Sequence, residues 1–521
     1  MDGSGAGKSA SYVIPNACQQ LGSYVFTDPK GELYDQTAGF LREKGYKIKV
    51  LNLVRPEKSD GYNPLHHIRN QIDVDIIANT IVKGQKDAAS SSDPFWDDMA
   101  EMLLKSLIYY LREVRPPEEQ NLASCAELVR AANNNGGDNL LSNLINQLPH
   151  QHPARTNYRS IEVSSDKTYG SILSSLQSKL GKFDSKAIAE LTSTNTIDFE
   201  EIGKEKTALY VISSDTHAAY DFLLTIFFSQ MIQRLYDFAD ECGGELPVQT
   251  FFILDEFANI GKIPDFDKKI STSRSRKISF SVILQNLDQL EAVYKESHET
   301  ILGNCDTHVF LGSNSQKTVE YFSKALGEKT IFRESESINK DRNDWKQGKS
   351  VSEQNMARAL LTPDELRRLD VNQCIIYEKG LKPIRAQKYY YFNHPTEKQI
   401  RPFRLDHNDR EVIDRGKWRT YNPYNPYEEK RENAEPTKIE SLDDLFADNE
   451  PKKEEKPKEG KNNNNVQPIL DLSSLDMPPE LPMEPVEEPK VEPQTTQEKL
   501  DLQKEMEAKF DELFGTLNDI D

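Results

Sequence analysis

The sequence contains no long apolar run. No stretch approaches the roughly 18 consecutive apolar residues that mark a membrane-spanning helix. The first residues also lack a secretory signal peptide, which would combine a basic start, an apolar middle and a small-residue cleavage site. As written, the chain is therefore predicted to be soluble and cytoplasmic, an expectation that holds only for the residues present.

Cysteine is scarce, with five residues in 521 and none in C-x-x-C spacing. This excludes paired metal-binding or redox motifs and favours reduced thiols in a cytosolic protein. The pairs His66-His67 and His150/His152 have no further ligands at metal spacing, so we expect no metal site there. The cysteines are Cys18, Cys125, Cys242, Cys305 and Cys374.

Positive charge is also in deficit, and the deficit is local. The chain has a net charge of −20, and residues 434–521 hold 24 acidic and 10 basic residues, or −14 of that total. The remaining body is mildly acidic. The sequence therefore lacks the basic excess that is typical of nucleic-acid binders, although a local basic face would escape this count.

The chain opens on most of a phosphate-binding loop, Met-Asp-Gly-Ser-Gly-Ala-Gly-Lys-Ser. In such a loop backbone N–H groups surround the phosphates, the lysine neutralises the β and γ oxygens, and the hydroxyl holds Mg²⁺. The predicted nucleotide-binding residues are Gly3, Ser4, Gly5, Ala6, Gly7, Lys8 and Ser9. Lys8 is also a predicted catalytic residue, and ATP with Mg²⁺ is the expected ligand.

Two features depart from the full pattern G-x-x-x-x-G-K-[ST]. Asp2 stands where the pattern has its first glycine, and no strand leads into the loop. We therefore expect an ATP site with a truncated start.

Helices alternate with short apolar strands in the regions that flank residues 95–179. Strands are predicted at 23–27, 47–53, 208–212, 248–254, 278–284, 307–311 and 373–377, with a helix at 33–44. The segment 8–14 is predicted to form only a short helix, because Pro15 blocks continuation. This alternation indicates an α/β fold with a doubly wound, mainly parallel sheet.

The intervening segment shows helical periodicity and no convincing strand, which indicates an all-helical insertion. The predicted organisation is a nucleotide-binding domain in two parts, 1–92 and 199–395, interrupted by a helical domain at 93–198. An extension at 396–433 and an acidic, disordered tail at 434–521 follow, because a tail rich in Pro, Glu, Lys and Asn buries too little apolar surface to fold. Near its end, residues 502–517 place apolar side chains on one helical face, which fits either a peptide that docks on a partner or a marginal helix that frays.

The run Thr-Phe-Phe-Ile-Leu at 250–254 ends in Asp255 and Glu256, the arrangement of a Walker B strand. The aspartate is predicted to hold Mg²⁺ together with Ser9, and Glu256 is predicted to orient and deprotonate the attacking water. An adjacent glutamate favours an ATPase that hydrolyses its nucleotide.

Two further groups belong to the following strand. Gln285 stands at its tip and is predicted to sense the γ-phosphate, the alternative being an ordinary turn cap. Arg274 and Arg276 precede the strand and fit an arginine finger across a subunit boundary, a contact to a nucleic-acid backbone, or a solvated charged turn.

Several segments together resemble the type IV secretion coupling proteins, the TraG/VirD-type family of conjugative DNA-transfer ATPases. They are Thr-Asp-Pro-Lys-Gly-Glu-Leu-Tyr at 27–34, Gly-Tyr at 45–46, Leu-Asn-Leu at 51–53, Ser-Asp-Gly-Tyr-Asn-Pro-Leu at 59–65, the stretch 255–264, and Phe-Leu-Gly-Ser-Asn at 310–314. The resemblance covers about residues 3–395. Asp28, Lys30 and Glu32 belong to this pattern, as part of either a nucleotide-side turn or, as we favour, a strand-to-helix junction.

The resemblance implies a RecA-like, homo-hexameric ATPase on the cytoplasmic face of the cell (plasma or inner) membrane. In that family an N-terminal anchor, absent from this chain, holds the protein in the membrane, and a helical domain faces the DNA-processing machinery. The implied partners are single-stranded DNA with its relaxase or relaxosome, sometimes protein, and components of the type IV secretion channel. The alternatives are a non-catalytic adaptor with a defective P-loop and a related P-loop motor for another cargo.

Overall fold

The computed structural model describes residues 7–84, 94–133, 140–214, 220–339, 348–411 and 414–423. The predicted loop residues Gly3, Ser4, Gly5 and Ala6, the end of the extension, and the acidic tail with its C-terminal apolar segment lie outside the described residues. Within the described residues, no helix combines the length and apolar character that crossing a bilayer requires.

A five-stranded parallel sheet forms the centre of the fold, in the order β2-β3-β1-β4-β5. Its strands are β1 (Ser23–Thr27), β2 (Lys47–Asn52), β3 (Thr207–Ile212), β4 (Thr250–Leu254) and β5 (Ile278–Val282). Each begins or ends within two residues of the sequence prediction. Helix α1 (Ile14–Cys18) and helix α2 (Glu32–Glu43) cover one face.

The other face of the sheet shares one apolar core with the helical segment. Alternate strand residues such as Val25 and Leu209 point into this core, because successive side chains of a strand face opposite sides. The helices before and within this segment are α3 (Gln71–Lys83), α4 (Pro94–Val114), α5 (Leu122–Asn133), α6 (Leu140–Ile145), α7 (Pro153–Glu162), α8 (Asp166–Leu180), α9 (Lys186–Ser193) and α10 (Phe199–Lys204). The described residues between β2 and β3 form no strand, and the limits 93 and 198 stay a prediction.

The remaining elements follow β3 in the chain. The helices are α11 (Asp221–Glu241), α12 (Phe266–Thr272), α13 (Leu287–Tyr294), α14 (His298–Gly303), α15 (Gln316–Leu326), α16 (Pro363–Arg367) and α17 (Thr396–Ile400). A second, three-stranded antiparallel sheet has the order β10-β9-β6, with β6 (Thr307–Phe310), β9 (Gln373–Glu378) and β10 (Ile384–Gln387). Strands β7 (Glu328–Asn339) and β8 (Gly348–Ala359) form a separate hairpin that the sequence did not predict.

The prediction that Pro15 ends the first helix is wrong. A π-helical turn at Ser9–Val13 leads directly into α1, with Pro15 in its first turn. The N–H of Ile14 bonds to the carbonyl of Ser9, five residues back. Proline donates no N–H and clashes with the carbonyl four residues back in a regular α-helix, but here the turn before α1 is π-helical, with its acceptor five residues back. The helix therefore runs past the proline and buries Ile14 and Ala17 against the sheet.

The extension packs against both parts of the fold. Arg410 bonds to the buried carboxylate of Asp60 at 2.7 Å, and the N–H of Leu405 donates to the carbonyl of Asp35. Farther along, the Arg115 guanidinium lies 4.2 Å from the ring centroid of Tyr421. The described part of the extension thus contacts both the sheet side and the helical segment.

Candidate active site

The carboxyl end of β4 brings the Walker B acids to the P-loop lysine. Lys8 Nζ donates to Glu256 Oε1 at 2.6 Å and lies 3.6 Å from Asp255 Oδ1. The Ser9 hydroxyl donates to Asp255 Oδ2 at 3.3 Å. Residues separated by about 250 positions in the chain therefore form one charged cluster, as the sequence predicted for the P-loop and the Walker B strand.

The cluster is shielded from solvent. The side chains of Lys8 and Asp255 are each 9% exposed, and that of Glu256 is 15% exposed. Burial raises the pKa of Asp255, and the neighbouring carboxylate of Glu256 adds to this, while Lys8 opposes it. A cation beside Asp255 would favour its ionised form, and its carboxylate and the Ser9 hydroxyl are the hard oxygen ligands that Mg²⁺ takes. The residues present therefore fit a magnesium nucleotide.

The backbone around the acids is fixed by specific contacts. Glu256 has a left-handed conformation, with φ at 49°, and its N–H donates to Asp255 Oδ1. The hydroxyl of Thr27 donates to the backbone carbonyl of Asp255 at 2.7 Å. Thr27 is thus a site residue that the sequence analysis noted only as part of a strand and a family pattern, because its partner lies on a distant segment.

A second contact at the P-loop also escaped sequence reasoning. Gly7 has φ at 72°, and a Cβ there would lie 2.7 Å from Cε1 of Tyr390. Glycine is therefore required at this position both by backbone conformation and by the neighbouring ring. The run of aromatic residues at 389–392 was the available signal, but only the fold places one of them against the loop.

Gln285 lines the same cavity as Lys8, beyond the end of β5. Its backbone N–H bonds to the side chain of Gln289, and among the described residues its own amide makes no hydrogen bond to Lys8 or Glu256. The structure therefore brings Gln285 to the cavity without placing it on the charged cluster, and its sensor role stays a prediction.

The two arginines lie at the opposite end of β5 from Gln285. Five strand residues separate these ends, or about 17 Å at the rise of an extended chain. Arg276 donates two hydrogen bonds to Asp240 and lies 4.9 Å from the ring centroid of Tyr236. Arg274 is exposed and makes no ion pair within the described residues. Of the two, Arg274 is therefore better placed to contact another molecule.

Asp28 lies at the carboxyl end of β1, beside β4 in the sheet. Its hydrogen-bond partner belongs to α2 and not to the charged cluster. Its carboxylate accepts the N–H of Tyr34 at 2.9 Å, within the first turn of α2. Gly31, with φ at 76°, makes the turn between them. This geometry supports the strand-to-helix junction that we favoured for the Asp-Pro-Lys-Gly-Glu segment.

The chain is similar in sequence to proteins of conjugative DNA transfer. The family model described as type IV secretory system conjugative DNA transfer matches residues 1–414. VirD4 from Rhizobium radiobacter is 25% identical over 419 residues, covering 76% of this chain and 57% of that protein. TraG from Escherichia coli is 25% identical over 428 residues, covering 75% of this chain and 66% of that protein. The chain thus spans less than two thirds of the length of these curated relatives.

Solved structures of the coupling protein TrwB share the fold. A trigonal form in complex with sulphate gives a TM-score of 0.54 at 17% identity, covering 74% of this chain and 83% of that one. A complex with the non-hydrolysable ATP analogue ADPNP gives 0.53 at 16% identity, with the same coverage. The predicted RecA-like α/β fold is confirmed. With the family model matched over most of its length, the chain belongs to the type IV secretory system conjugative DNA transfer family.

Proposed function

We propose that this chain is an ATP-driven coupling protein that recruits relaxase-bound single-stranded DNA to a type IV secretion channel. The contact of Lys8 with Asp255 and Glu256 carries the proposal, because it joins a phosphate-binding cation, a metal-binding carboxylate and a base in one shielded site. Family membership supports the transport role. A homo-hexameric ring on the cytoplasmic face of the inner membrane belongs to the proposal on the family resemblance alone.

Nucleotide binding requires Lys8 to exchange partners. Its ammonium group is bonded to Glu256 in this structure, and the β and γ phosphate oxygens of ATP would replace that carboxylate. Glu256 is then released to accept a proton from the attacking water. Ser9 and Asp255 would hold Mg²⁺, which would neutralise phosphate charge. Gln285, at the edge of the same cavity, would contact the γ-phosphate after this exchange.

The decisive test is the variant Glu256→Gln in the full chain. It should bind ATP, because Lys8 and Ser9 are intact, and should lower turnover by about 10²-fold or more, since positioned base catalysis contributes about that much. Lys8→Ala should lose ATP binding, and the exposed Glu118→Gln should behave as the unchanged protein. Equilibrium binding of Mg-ATP and steady-state phosphate release measure both steps.

The results separate this proposal from the adaptor alternative. Wild-type turnover in Glu256→Gln would remove its assignment as base. Absence of Mg-dependent ATP affinity in the unchanged chain would favour the non-catalytic adaptor. Stimulation of turnover by single-stranded DNA supports DNA as cargo, and stimulation by protein alone would favour a motor for another substrate.

A further inference from the structure

A row of aromatic residues at 389–392, which we call the aromatic row, packs against the P-loop. Cε1 of Tyr390 lies 2.7 Å from the position that a Cβ on Gly7 would occupy. The short turn Tyr391–Asn393 contacts the π turn Ser9–Val13, which begins directly after the P-loop lysine. The aromatic row therefore lies beside both the phosphate-binding residues and the first turn of the helix that follows them.

Hydrogen bonds at several points hold the aromatic row in place. Lys388 Nζ donates to the carbonyl of Leu311 at 2.7 Å, just beyond β6. The Tyr390 hydroxyl donates to the carbonyl of Val371 at 3.2 Å, and the N–H of Asn393 donates to the carbonyl of Tyr390 at 3.0 Å. Because each bond fixes a different part of the segment, its rings have defined positions before any ligand binds.

Phe392 combines a fixed ring with exposure to solvent. Its ring stacks on Tyr390, with centroids 5.2 Å apart and planes 24° apart, and meets Tyr391 edge-on at 5.5 Å. The residue is nonetheless 52% exposed. Tyr389 differs, because the ring of His394 already stacks on it at 3.7 Å. A flat partner that covers Phe392 would bury apolar surface, and a ring already held in place loses little conformational entropy on binding.

A nucleotide bound at the P-loop carries such a flat partner. Its ribose and base are bonded to the α-phosphate, so phosphates held at Lys8 and Ser9 leave the base outside the loop but close to it. The π turn that follows these residues contacts the aromatic row. Every nucleobase has a π face that stacks on aromatic side chains. The position of the aromatic row therefore favours a base as the partner of its exposed ring.

We propose that Phe392, supported by Tyr390, is the stacking platform for the adenine base of the ATP whose phosphates bind at Lys8. This inference rests on the proposed function and adds a residue that contacts the base to those that contact the phosphates. Tyr390 is a positioning residue in this arrangement, because its edge packs on Gly7 and its face supports Phe392. Base binding thereby connects the P-loop with the segment that leads into the extension.

The test compares a ligand that carries a base with one that lacks it. Mg-ATP and Mg-tripolyphosphate are titrated into the full chain and into Phe392→Ala, and calorimetry gives the dissociation constants. The variant should bind Mg-ATP about tenfold more weakly, since stacking of one base on an aromatic ring contributes at least about this much. It should bind tripolyphosphate as the unchanged chain does. Phe392→Tyr should restore ATP binding, and Phe332→Ala, at an exposed phenylalanine of β7, should change neither affinity.

The outcomes separate stacking on the base from support of the P-loop. Tyr390→Ala should weaken the binding of both ligands, because its ring also packs on Gly7. Equal weakening of both ligands in Phe392→Ala would show that this ring supports the loop alone, and would overturn the inference. Unchanged Mg-ATP affinity in that variant would also overturn it, and a simultaneous loss of oligothymidylate binding would assign the ring to single-stranded DNA.

Failure of the proposed function gives a different result. An unchanged chain that binds neither Mg-ATP nor Mg-tripolyphosphate would contradict the nucleotide site itself, and the stacking platform with it. An unchanged chain that binds both ligands, with no difference between Phe392→Ala and Phe332→Ala, would leave the nucleotide site intact and remove the platform alone.

Discussion

Strands β1 and β5 lie in the same parallel sheet and are nearly matched in composition. The first is Ser-Tyr-Val-Phe-Thr and the second Ile-Ser-Phe-Ser-Val, so each has three apolar residues and two of Ser or Thr. All five residues of β1 are buried, whereas four of the five in β5 are partly exposed. Among the described residues, β1 has strand neighbours on both sides and β5 on one. The number of neighbours, and not the residue types, therefore decides the burial of each strand.

Burial also differs between the polar residues that follow the two strands. Asp28, just after β1, is 2% exposed, and Gln285, beyond β5, faces a cavity. Asp28 lies beyond a strand that is paired on both sides, and the N–H of Tyr34 holds its carboxylate by a hydrogen bond. Gln285 lies beyond a strand that is paired on one side among the described residues, so its side chain has room to respond to a ligand. Of these two side chains, only that of Gln285 faces the cavity that Lys8 also lines.

The largest effect on the free energy of unfolding is expected in the core of β1. Phe26 is 1% exposed and stacks with Tyr24 and Tyr210 at centroid distances of 5.4 and 5.1 Å. Phe26→Ala should cost about 3–5 kcal/mol. Phe280→Ala in β5 should cost about half as much, because its ring is already partly in water. Urea unfolding measures both, and equal losses would break the comparison.

The next effect concerns Asp28 and depends on pH. Burial raises its pKa from 3.8 to about 7. Between these values the folded state holds a proton that the unfolded state has released, so stability falls as pH rises from about 4 to 7 and then levels. Each pH unit corresponds to about 1.4 kcal/mol, or a few kcal/mol in all. Asp28→Asn should remove this slope in unfolding curves recorded at pH 5 and 8.

The control for this experiment is Asp409→Asn, at an exposed aspartate. It should leave the pH dependence unchanged. A slope that persists in Asp28→Asn would show that another group causes it and would contradict the raised pKa of Asp28.

The smallest stability effect is expected at the amino end of β5. Arg276→Ala removes a partly exposed pair with Asp240, which should cost about 0.2–1 kcal/mol. Arg274→Ala should change the free energy of unfolding even less. If Arg274 acts across a subunit boundary, its loss should lower ATP turnover at least about tenfold, whereas loss of Arg276 should not. Equal turnover in the two variants would contradict this division.

Much of the site could be predicted from short segments. Lys8 with Ser9, and Asp255 with Glu256, each belong to a local pattern with a known position at a strand or helix end, and the structure brings them together. The predictions failed where the structure depends on a helical geometry or a strand pairing that has no local sequence signal. Pro15 was taken as a helix stop because the π turn before it leaves no local signature. The polar hairpin of β7 and β8 lacks the alternating apolar residues that indicate a strand.

The sequence by itself predicted a nucleotide site, because glycines, a lysine and strand-end acids form local patterns that can be recognised in short segments. It also determined the alternation of helix and strand, since apolar periodicity is local. Only the tertiary structure decided that Lys8 bonds to Glu256, that Tyr390 lies against Gly7, that Arg276 is held by Asp240, and that β5 pairs on one side alone among the described residues. Each of these depends on segments distant in the chain, whose contacts are set by packing around the common core.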